Sequence, residues 1–232
     1  MGNDPGKVRS RAQQKWHSLG MACLGLFLVM MSPKGVLAEV ADAASNLVDG
    51  PAELQLALES ATGGQIITLT AGSYGEVVLR NLRFDAPITI RAARPGSAIF
   101  ESLRIENTRY LRIEGIHIAH PQNGSAQSRI VEVVDSDHIE ILGSEINGPM
   151  DANYDGHFGI RVAGGTGHRI SGNSVHDVKH GIALFGVRDT EMVGNHAEAI
   201  GEDAFKFAGV DGVLVENNTG PTLMYPATDA HD

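Results

Sequence analysis

Three related four-residue segments recur in the second half of the chain: ISGN at 170–173, MVGN at 192–195 and LVEN at 214–217. Each segment ends in an asparagine, and the three asparagines, Asn173, Asn195 and Asn217, are equally spaced. Short runs of alternating apolar and polar residues lie between the segments, at 159–162, 181–184 and 204–207. Alternation over four or five residues indicates strands with one buried face. This part of the chain is therefore predicted to repeat one strand-rich unit.

A repeat of this length that holds two or three short strands is typical of one coil of a parallel β-helix, in which coils stack about 4.8 Å apart. Asn173, Asn195 and Asn217 are then predicted to form an asparagine ladder at a turn, where the amides bond the next coil. Leucine-rich repeats have a similar period, but their fixed leucine frame is absent. Wider spacing earlier in the chain predicts loops at about 119–129 and 145–157.

The start of the repeat is predicted to be covered by a helix. Residues 51–61 (PAELQLALESA) place Leu54, Leu58 and Ala61 on one helical face. Such a helix plugs the open end of the coil and protects its sheet edge. We therefore predict an all-β fold, a single-stranded parallel β-helix with a short N-terminal capping helix, over residues 51–232.

Residues 1–38 have the features of a secretory signal. A basic segment precedes an apolar run at 19–31, and small residues around Ala38 offer a cleavage site. The apolar run is shorter than the ~20 residues that cross a bilayer, although a retained anchor is the alternative. Residues 39–50 are predicted to be a linker. We expect the mature protein to be secreted, periplasmic or at the cell surface.

Composition excludes several classes of partner. The chain has 232 residues, a formal net charge of −10 and a single cysteine. Nucleic acids and anionic membranes require clustered Lys and Arg, so neither is an expected partner of the mature protein. A single cysteine excludes a disulfide framework and a Cys-based zinc site. The oligomeric state is left open.

Two early segments carry a family resemblance. The run ELQLALESATGGQIITLTAGSYGEVVL at 53–79 resembles the opening of secreted parallel β-helix proteins of the pectate-lyase-like superfamily. The run APITIRAARPGSAIFESLRIENTRYLRIEGIHI at 86–118 is similar to the early coils of the chondroitinase B and alginate lyase family. The resemblance implies a right-handed parallel β-helix and action on an acidic polysaccharide as a lyase, hydrolase or C-5 epimerase. The superfamily also includes adhesins and phage tail proteins, so fold alone does not determine function.

The segment GEDAFKF at 201–207 is the strongest candidate for chemistry. Strand alternation directs Lys206 outward, and alignment of the coils places it in line with Ala183 and Arg161. Two coil spacings, about 10 Å, separate Lys206 from Arg161. Proton abstraction beside a uronate carboxylate needs a base, and it needs a cation that neutralises the carboxylate.

These requirements assign predicted roles. Lys206 is the predicted base and Arg161 the predicted neutralising cation, with Asp203 and His180 as further catalytic candidates. The resemblance implies Lys or Arg as base and often Ca²⁺ as the neutralising group. The alternative is purely structural: Lys179 and His180 precede Glu202 and Asp203 by one coil, so the four side chains could pair with one another.

A calcium site is predicted in the second inserted loop. Asp151, Asn153 and Asp155 alternate and are followed by Gly156, a spacing at which side-chain oxygens can wrap a cation. Asp203 is the third predicted metal ligand, and Ca²⁺ the predicted cofactor. An Asx-rich turn without metal is the alternative.

Aromatic residues divide into two predicted groups. The candidates for stacking on a sugar lie in or beside loops: Tyr154, Phe158 and Tyr225. The predicted core residues are Phe84, Phe100, Phe185, Phe205 and Phe207.

The sequence leaves two further functions open. One is a non-catalytic, carbohydrate-binding or adhesive β-helix at the cell surface. The other is a glycoside hydrolase, which needs two facing carboxylates, and Asp203 with Asp229 is the pair available. Residues 227–232 (ATDAHD) lead towards another strand, which favours an incomplete gene product over a short natural end.

Overall fold

The computed structural model describes residues 47–121, 129–149 and 157–223. These residues contain one helix, α1 (Pro51–Ser60), and 19 strands. The strands are β1 (Leu47–Val48), β2 (Ile66–Leu69), β3 (Gly72–Arg80), β4 (Arg83–Ala92), β5 (Ala98–Glu106), β6 (Arg109–Glu114), β7 (His117–Ala119), β8 (Arg129–Val134), β9 (Asp137–Leu142), β10 (Glu145–Asn147), β11 (Phe158–Ala163), β12 (Arg169–Ser171), β13 (Ser174–Val178), β14 (His180–Phe185), β15 (Glu191–Val193), β16 (His196–Ile200), β17 (Phe205–Ala208), β18 (Leu214–Glu216) and β19 (Thr219–Leu223).

All strand pairs are parallel, and the strands belong to two sheets. The eight-stranded sheet has the order β1-β2-β4-β6-β9-β12-β15-β18. The eleven-stranded sheet has the order β17-β14-β11-β8-β5-β7-β10-β13-β16-β19, with β3 paired to β5. Each successive strand of a sheet comes from the next coil, and the chain completes about seven coils. The predicted all-β parallel β-helix is confirmed.

The core consists of inward side chains that repeat from coil to coil. One column in the eight-stranded sheet is fully buried over five successive coils and consists of Ile90, Ile113, Ile141, Ile170 and Met192. Each such side chain stabilises the fold by about 1.5–3 kcal/mol relative to exposure. The alternation that predicted strands therefore exists because every second residue enters this stack.

The asparagine ladder exists, but its third member differs from the prediction. Asn173 Nδ2 donates to Asn195 Oδ1 over 3.0 Å, and Asn195 Nδ2 donates to Asn218 Oδ1 over 2.8 Å. The predicted third member, Asn217, has φ 55° and occupies the left-handed position that Gly194 holds one coil earlier. The prediction of Asn217 was wrong because the last coil is one residue longer than the repeat.

The extra residue can be located from strand register. Val178 pairs with Ile200 of the next coil, at the same interval that separates Asn173 from Asn195. Ile182 pairs with Phe205, so the interval has grown by one position between these two pairs. The insertion therefore lies in 201–204, between β16 and β17. This short segment contains two of the charged residues of the candidate site.

Helix α1 covers the first coil as predicted. Leu54 and Leu58 are buried, and Ala61 packs against the core. The preceding strand β1 pairs with β2 and lies within the segment predicted to be a linker. Across the described residues, no helix combines the length and apolar character needed to cross a membrane.

The aromatic predictions are partly confirmed. Phe100 is fully buried, and Phe84 and Phe205 pack against the core. Phe207 follows the inward column of Leu184 but is 39% exposed, because no described strand lies beyond β17 to cover it. The prediction for Phe185 was wrong, because its ring lies outside the core beneath an arginine.

Several predictions fall outside the described residues. They concern the secretory signal at 1–38, the loop residues Asp151, Tyr154 and Asp155, and the C-terminal residues Tyr225, Asp229 and 227–232.

Candidate functional site

One outward column of the eleven-stranded sheet carries most of the predicted site. It runs through β5, β8, β11, β14 and β17 and contains Arg104, Glu132, Arg161, Ala183 and Lys206. The predicted alignment of Lys206 with Ala183 and Arg161 is confirmed. The structure thus places Lys206 and Arg161 on one face, two coil spacings apart.

The inserted segment brings two carboxylates around one imidazole. His180 Nε2 lies 3.2 Å from Glu202 Oε2, and His180 Nδ1 lies 3.0 Å from Asp203 Oδ2. Both are hydrogen-bond distances, although the Nδ1 contact is not aligned as a hydrogen bond. Catalytic contacts often align only when substrate binds.

Two lysines complete this arrangement, which we call the His180 cluster: Lys179, His180, Glu202, Asp203 and Lys206. Lys206 Nζ donates to Asp203 Oδ2 over 2.6 Å, and Lys179 Nζ lies 3.1 Å from Glu202 Oε1. The predicted contacts of Lys179 and His180 with Glu202 and Asp203 in the next coil are therefore present.

Local backbone geometry permits this close approach. A Cβ atom on Gly181 would lie 2.3 Å from the carbonyl oxygen of Ala204 in the next coil. Residue 181 must therefore be glycine for the 201–204 segment to pack beside His180.

Burial sets the ionisation of His180. Its side chain is 9% exposed, and the ring of Phe158 stacks on it with centroids 4.5 Å apart. This burial lowers the pKa of His180 below its ordinary value of 6.5, and the positive charge of Lys206 lowers it further. Glu202 and Asp203 oppose the shift without reversing it. His180 is therefore a neutral imidazole at pH 7.

Asp203 is held as a carboxylate. Burial alone would raise its pKa, but the hydrogen bond and charge of Lys206, together with His180, lower that pKa below its ordinary value of 3.8. The cluster therefore combines a neutral imidazole, two carboxylates and two ammonium groups on one partly solvated surface.

A second charged group lies two to four coils away on the same face. Glu132 has a 6% exposed side chain and contacts three guanidinium groups. Arg129 Nη1 and Arg161 Nη1 lie 3.1 and 3.0 Å from Glu132 Oε1, and Arg104 Nη1 contacts Oε2. We call these four residues the Glu132 cluster.

The described residues do not fit Ca²⁺ as they stand. His180, Glu202 and Asp203 offer three ligand atoms within 4.8 Å of one another. Ca²⁺ takes six to eight oxygen ligands. The set contains two carboxylates, each already paired with an ammonium group, and one nitrogen ligand. No step is therefore derived through Ca²⁺, which stays a prediction for the loop with Asp151 and Asp155.

Sequence reasoning missed the Glu132 cluster. The strand RIVEVV at β8 did indicate an outward Glu132 by alternation. However, the intervals between Arg104, Glu132 and Arg161 are longer than those between the asparagines of the ladder, so the repeat length did not align them.

A family model described as a right handed beta helix region matches residues 101–220. The chain belongs to this family. Its hand of coiling, predicted from sequence, agrees with that description. A search of curated proteins found no match.

Solved structures share the fold at low identity. A protein from Parabacteroides merdae, assigned provisionally as a glycosyl hydrolase, is 11% identical with a TM-score of 0.51, over 77% of this β-helix chain and 91% of that one. The alginate lyase AlyGC is 14% identical with a TM-score of 0.49, and the match covers 75% of this chain and 34% of that one. Pectate lyase Pel9A is 13% identical with a TM-score of 0.42, over 77% and 67% of the two chains. The β-helix chain thus spans about a third of AlyGC.

Proposed function

We propose that this β-helix protein processes an acidic, uronate-containing polysaccharide by abstracting the C-5 proton of a uronate, as a lyase or an epimerase. The observation that carries the proposal is the outer face shared by the His180 cluster and the Glu132 cluster. The chain carries a net charge of −10, yet the two clusters on this face combine five cationic side chains with three carboxylates. A cationic face on an acidic protein is suited to a polyanionic ligand.

His180 is the residue best suited to accept the proton. It is a neutral imidazole at pH 7, so one ring nitrogen has a lone pair that can accept a proton. Asp203 lies 3.0 Å from Nδ1 and can orient the ring through an N–H at that nitrogen. Nε2 then accepts the substrate proton once Glu202, which Lys179 also contacts, turns away from it.

Lys206 is better suited to neutralise charge than to act as the base predicted from sequence. Its Nζ already donates a 2.6 Å hydrogen bond to a carboxylate, and an ammonium group has no lone pair to accept a proton. An ammonium beside the substrate carboxylate stabilises the enolate-like intermediate. Arg161, the neutralising cation predicted from sequence, lies two coil spacings from Lys206 in the same column, so it is suited to a carboxylate on another sugar.

The two outcomes differ after proton abstraction. In a lyase, the electron pair left at C-5 forms a C4–C5 double bond as the C4–O bond breaks, and the departing oxygen takes up a proton. In an epimerase, C-5 takes up a proton from the opposite face and no bond of the chain breaks. Both begin with transfer of the C-5 proton to His180.

Proton NMR in D₂O tests the proposal directly. The protein is incubated with polygalacturonate, with alginate and with a glycosaminoglycan, each with Ca²⁺ and with chelator. We expect new vinyl signals or loss of a C-5 proton signal on at least one polymer, and neither with His180→Ala. Unchanged spectra on every polymer, with folded protein, would overturn the proposal.

The predicted calcium site and export belong to the same proposal. If Asp151 and Asp155 hold Ca²⁺, chelator and Asp151→Asn should lower turnover to the same extent. Export predicts that the protein recovered outside the cytoplasm begins near residue 39, which N-terminal sequencing checks.

A non-catalytic carbohydrate-binding module is the second candidate, favoured by one observation. Both carboxylates of the His180 cluster are paired with lysines, so the cluster can serve to stabilise the contact between adjacent coils. In that case Lys206→Ala and Glu202→Ala should lower the melting temperature equally and polysaccharide binding should persist without turnover.

A further inference from the structure

The Glu132 cluster has more hydrogen-bond donors than Glu132 can satisfy. A carboxylate offers about four acceptor sites, whereas three guanidinium groups offer fifteen N–H donors. In the part of the chain that the structure describes, Arg129 and Arg161 each reach Glu132 through one nitrogen, and Arg104 reaches Glu132 and Glu106. Glu132 therefore cannot satisfy most donors of this cluster.

The cluster also keeps a net positive charge. Three guanidinium groups surround one carboxylate, and the guanidinium groups are between 22% and 46% exposed while Glu132 is 6% exposed. The buried carboxylate of Glu132 contacts all three guanidinium groups and so fixes their positions. Forked, fixed donors bind carboxylate and sulfate oxygens in a bidentate manner.

The distance to the His180 cluster fits one extended ligand. Glu132 lies three coils from Lys206 along the same column, about 14 Å at the normal strand spacing. We propose that Arg104, Arg129 and Arg161 form a second anion subsite, which binds an acidic group on another sugar of the polysaccharide held at the His180 cluster. This inference rests on the proposed function and adds to it that the substrate is acidic at more than one sugar.

The subsite binds the anionic oxygens of either a carboxylate or a sulfate ester, and two probes separate them. Isothermal titration calorimetry of the full chain carrying His180→Ala measures binding without turnover. Hexagalacturonate supplies carboxylates only, a chondroitin sulfate hexasaccharide adds sulfate esters to its uronates, and monomeric galacturonate is too short to reach both clusters.

The variant Arg104→Gln/Arg129→Gln removes two guanidinium groups and keeps the ion pair between Arg161 and Glu132. We expect its affinity for the recognised hexasaccharide to fall at least tenfold, since each lost charge-assisted hydrogen bond accounts for about that factor. Affinity for galacturonate should not change. Loss of affinity for hexagalacturonate identifies a carboxylate, and loss for the sulfated probe alone identifies a sulfate ester.

Arg112→Gln is the matched control. Arg112 is 36% exposed and paired with Glu140, but it lies on the eight-stranded sheet. This control removes one guanidinium charge elsewhere, against two in the double variant, and should leave hexasaccharide binding unchanged. The double variant leaves the buried Glu132 carboxylate with fewer cationic partners. If that prevents folding, the triple variant with Glu132→Gln removes the buried charge and is used for the same measurement.

Hexasaccharide affinity within twofold of the parent in the double variant would overturn the subsite, as would equal losses for hexasaccharide and monomer or the absence of any hexasaccharide binding. None of these results depends on turnover. Failure of the proposed function would instead leave binding intact and the NMR spectra of the wild type unchanged.

Discussion

Lys206 Nζ donates a 2.6 Å hydrogen bond to Asp203 Oδ2, and the same carboxylate oxygen lies 3.0 Å from His180 Nδ1. The single residue inserted at 201–204 produces this relationship, because it lets both Glu202 and Asp203 reach the preceding coil. The ion pair between Lys206 and Asp203 places the Lys206 ammonium group beside the neutral imidazole of His180. The roles proposed for Lys206 and His180 follow from this contact.

Lys206→Ala should separate catalysis from stability. We expect kcat/KM to fall about 100-fold through loss of charge stabilisation. The unfolding free energy should fall by about 1 kcal/mol or less, because Lys206 is 39% exposed and such pairs contribute little. Steady-state kinetics and urea denaturation measure the two quantities. Retained activity with a stability loss as large as that of Glu202→Ala would favour the structural alternative.

The pH profile of activity should respond oppositely to two substitutions. His180 accepts protons only when neutral, so activity should be lost as pH falls below 6.5 and through its lowered pKa. The charge of Lys206 lowers this pKa and that of Glu202 raises it. We therefore expect the acid limb of kcat/KM to move to higher pH in Lys206→Ala and to lower pH in Glu202→Gln. Shifts in the same direction would exclude His180 as the titrating group.

His168 should make the fold sensitive to acid. It is 1% exposed, its Nδ1 accepts the Ile139 N–H, and its Nε2–H donates to Gly164 O. Burial lowers its pKa below 6.5. A depressed folded-state pKa gives stability that is present above 6.5 and is lost as pH falls through the folded value.

We therefore expect the unfolding free energy to fall between pH 7 and pH 5, and to fall less in His168→Asn. His196→Asn, at a 42% exposed site, is the control and should keep the wild-type slope. Denaturant titrations at the two pH values measure this difference. Equal slopes in all three proteins would show that His168 does not contribute.

The ladder assignment predicts unequal effects at adjacent asparagines. Asn218 accepts the N–H of Asn195 and donates to Met192 O, so Asn218→Ala leaves two part-buried groups unpaired and should cost about 1 kcal/mol or more. Asn217 has a left-handed backbone conformation, with φ 55°, which glycine adopts without strain. Asn217→Gly should therefore change stability by only a few tenths of a kcal/mol. Thermal or urea unfolding distinguishes them, and the reverse order would contradict the register.

The sequence was sufficient for the coil and for part of the site. Regular spacing near Asn173 and Asn195 predicted the strands and the ladder, and the same alignment placed Lys206 beside Ala183 and Arg161. It failed at Asn217, because one inserted residue shifted the last coil and sequence similarity does not mark such an insertion.

The protonation states were also beyond sequence. Burial, to which the stacked ring of Phe158 contributes, lowers the pKa of His180, and the hydrogen bond and charge of Lys206 lower the pKa of Asp203. Both contacts depend on side-chain positions set by neighbouring coils. Longer intervals caused by the inserted loops hid the alignment of Arg104 and Glu132 in the same way.

The most direct test of proton abstraction at the His180 cluster is the C-5 proton signal of a polyuronate followed by NMR in D₂O. The wild type and Arg112→Gln should both remove this signal, through vinyl formation or deuterium incorporation, and His180→Ala should leave it intact. Persistence of the signal with folded wild-type protein on every polyuronate, or its equal loss with His180→Ala, would contradict the account.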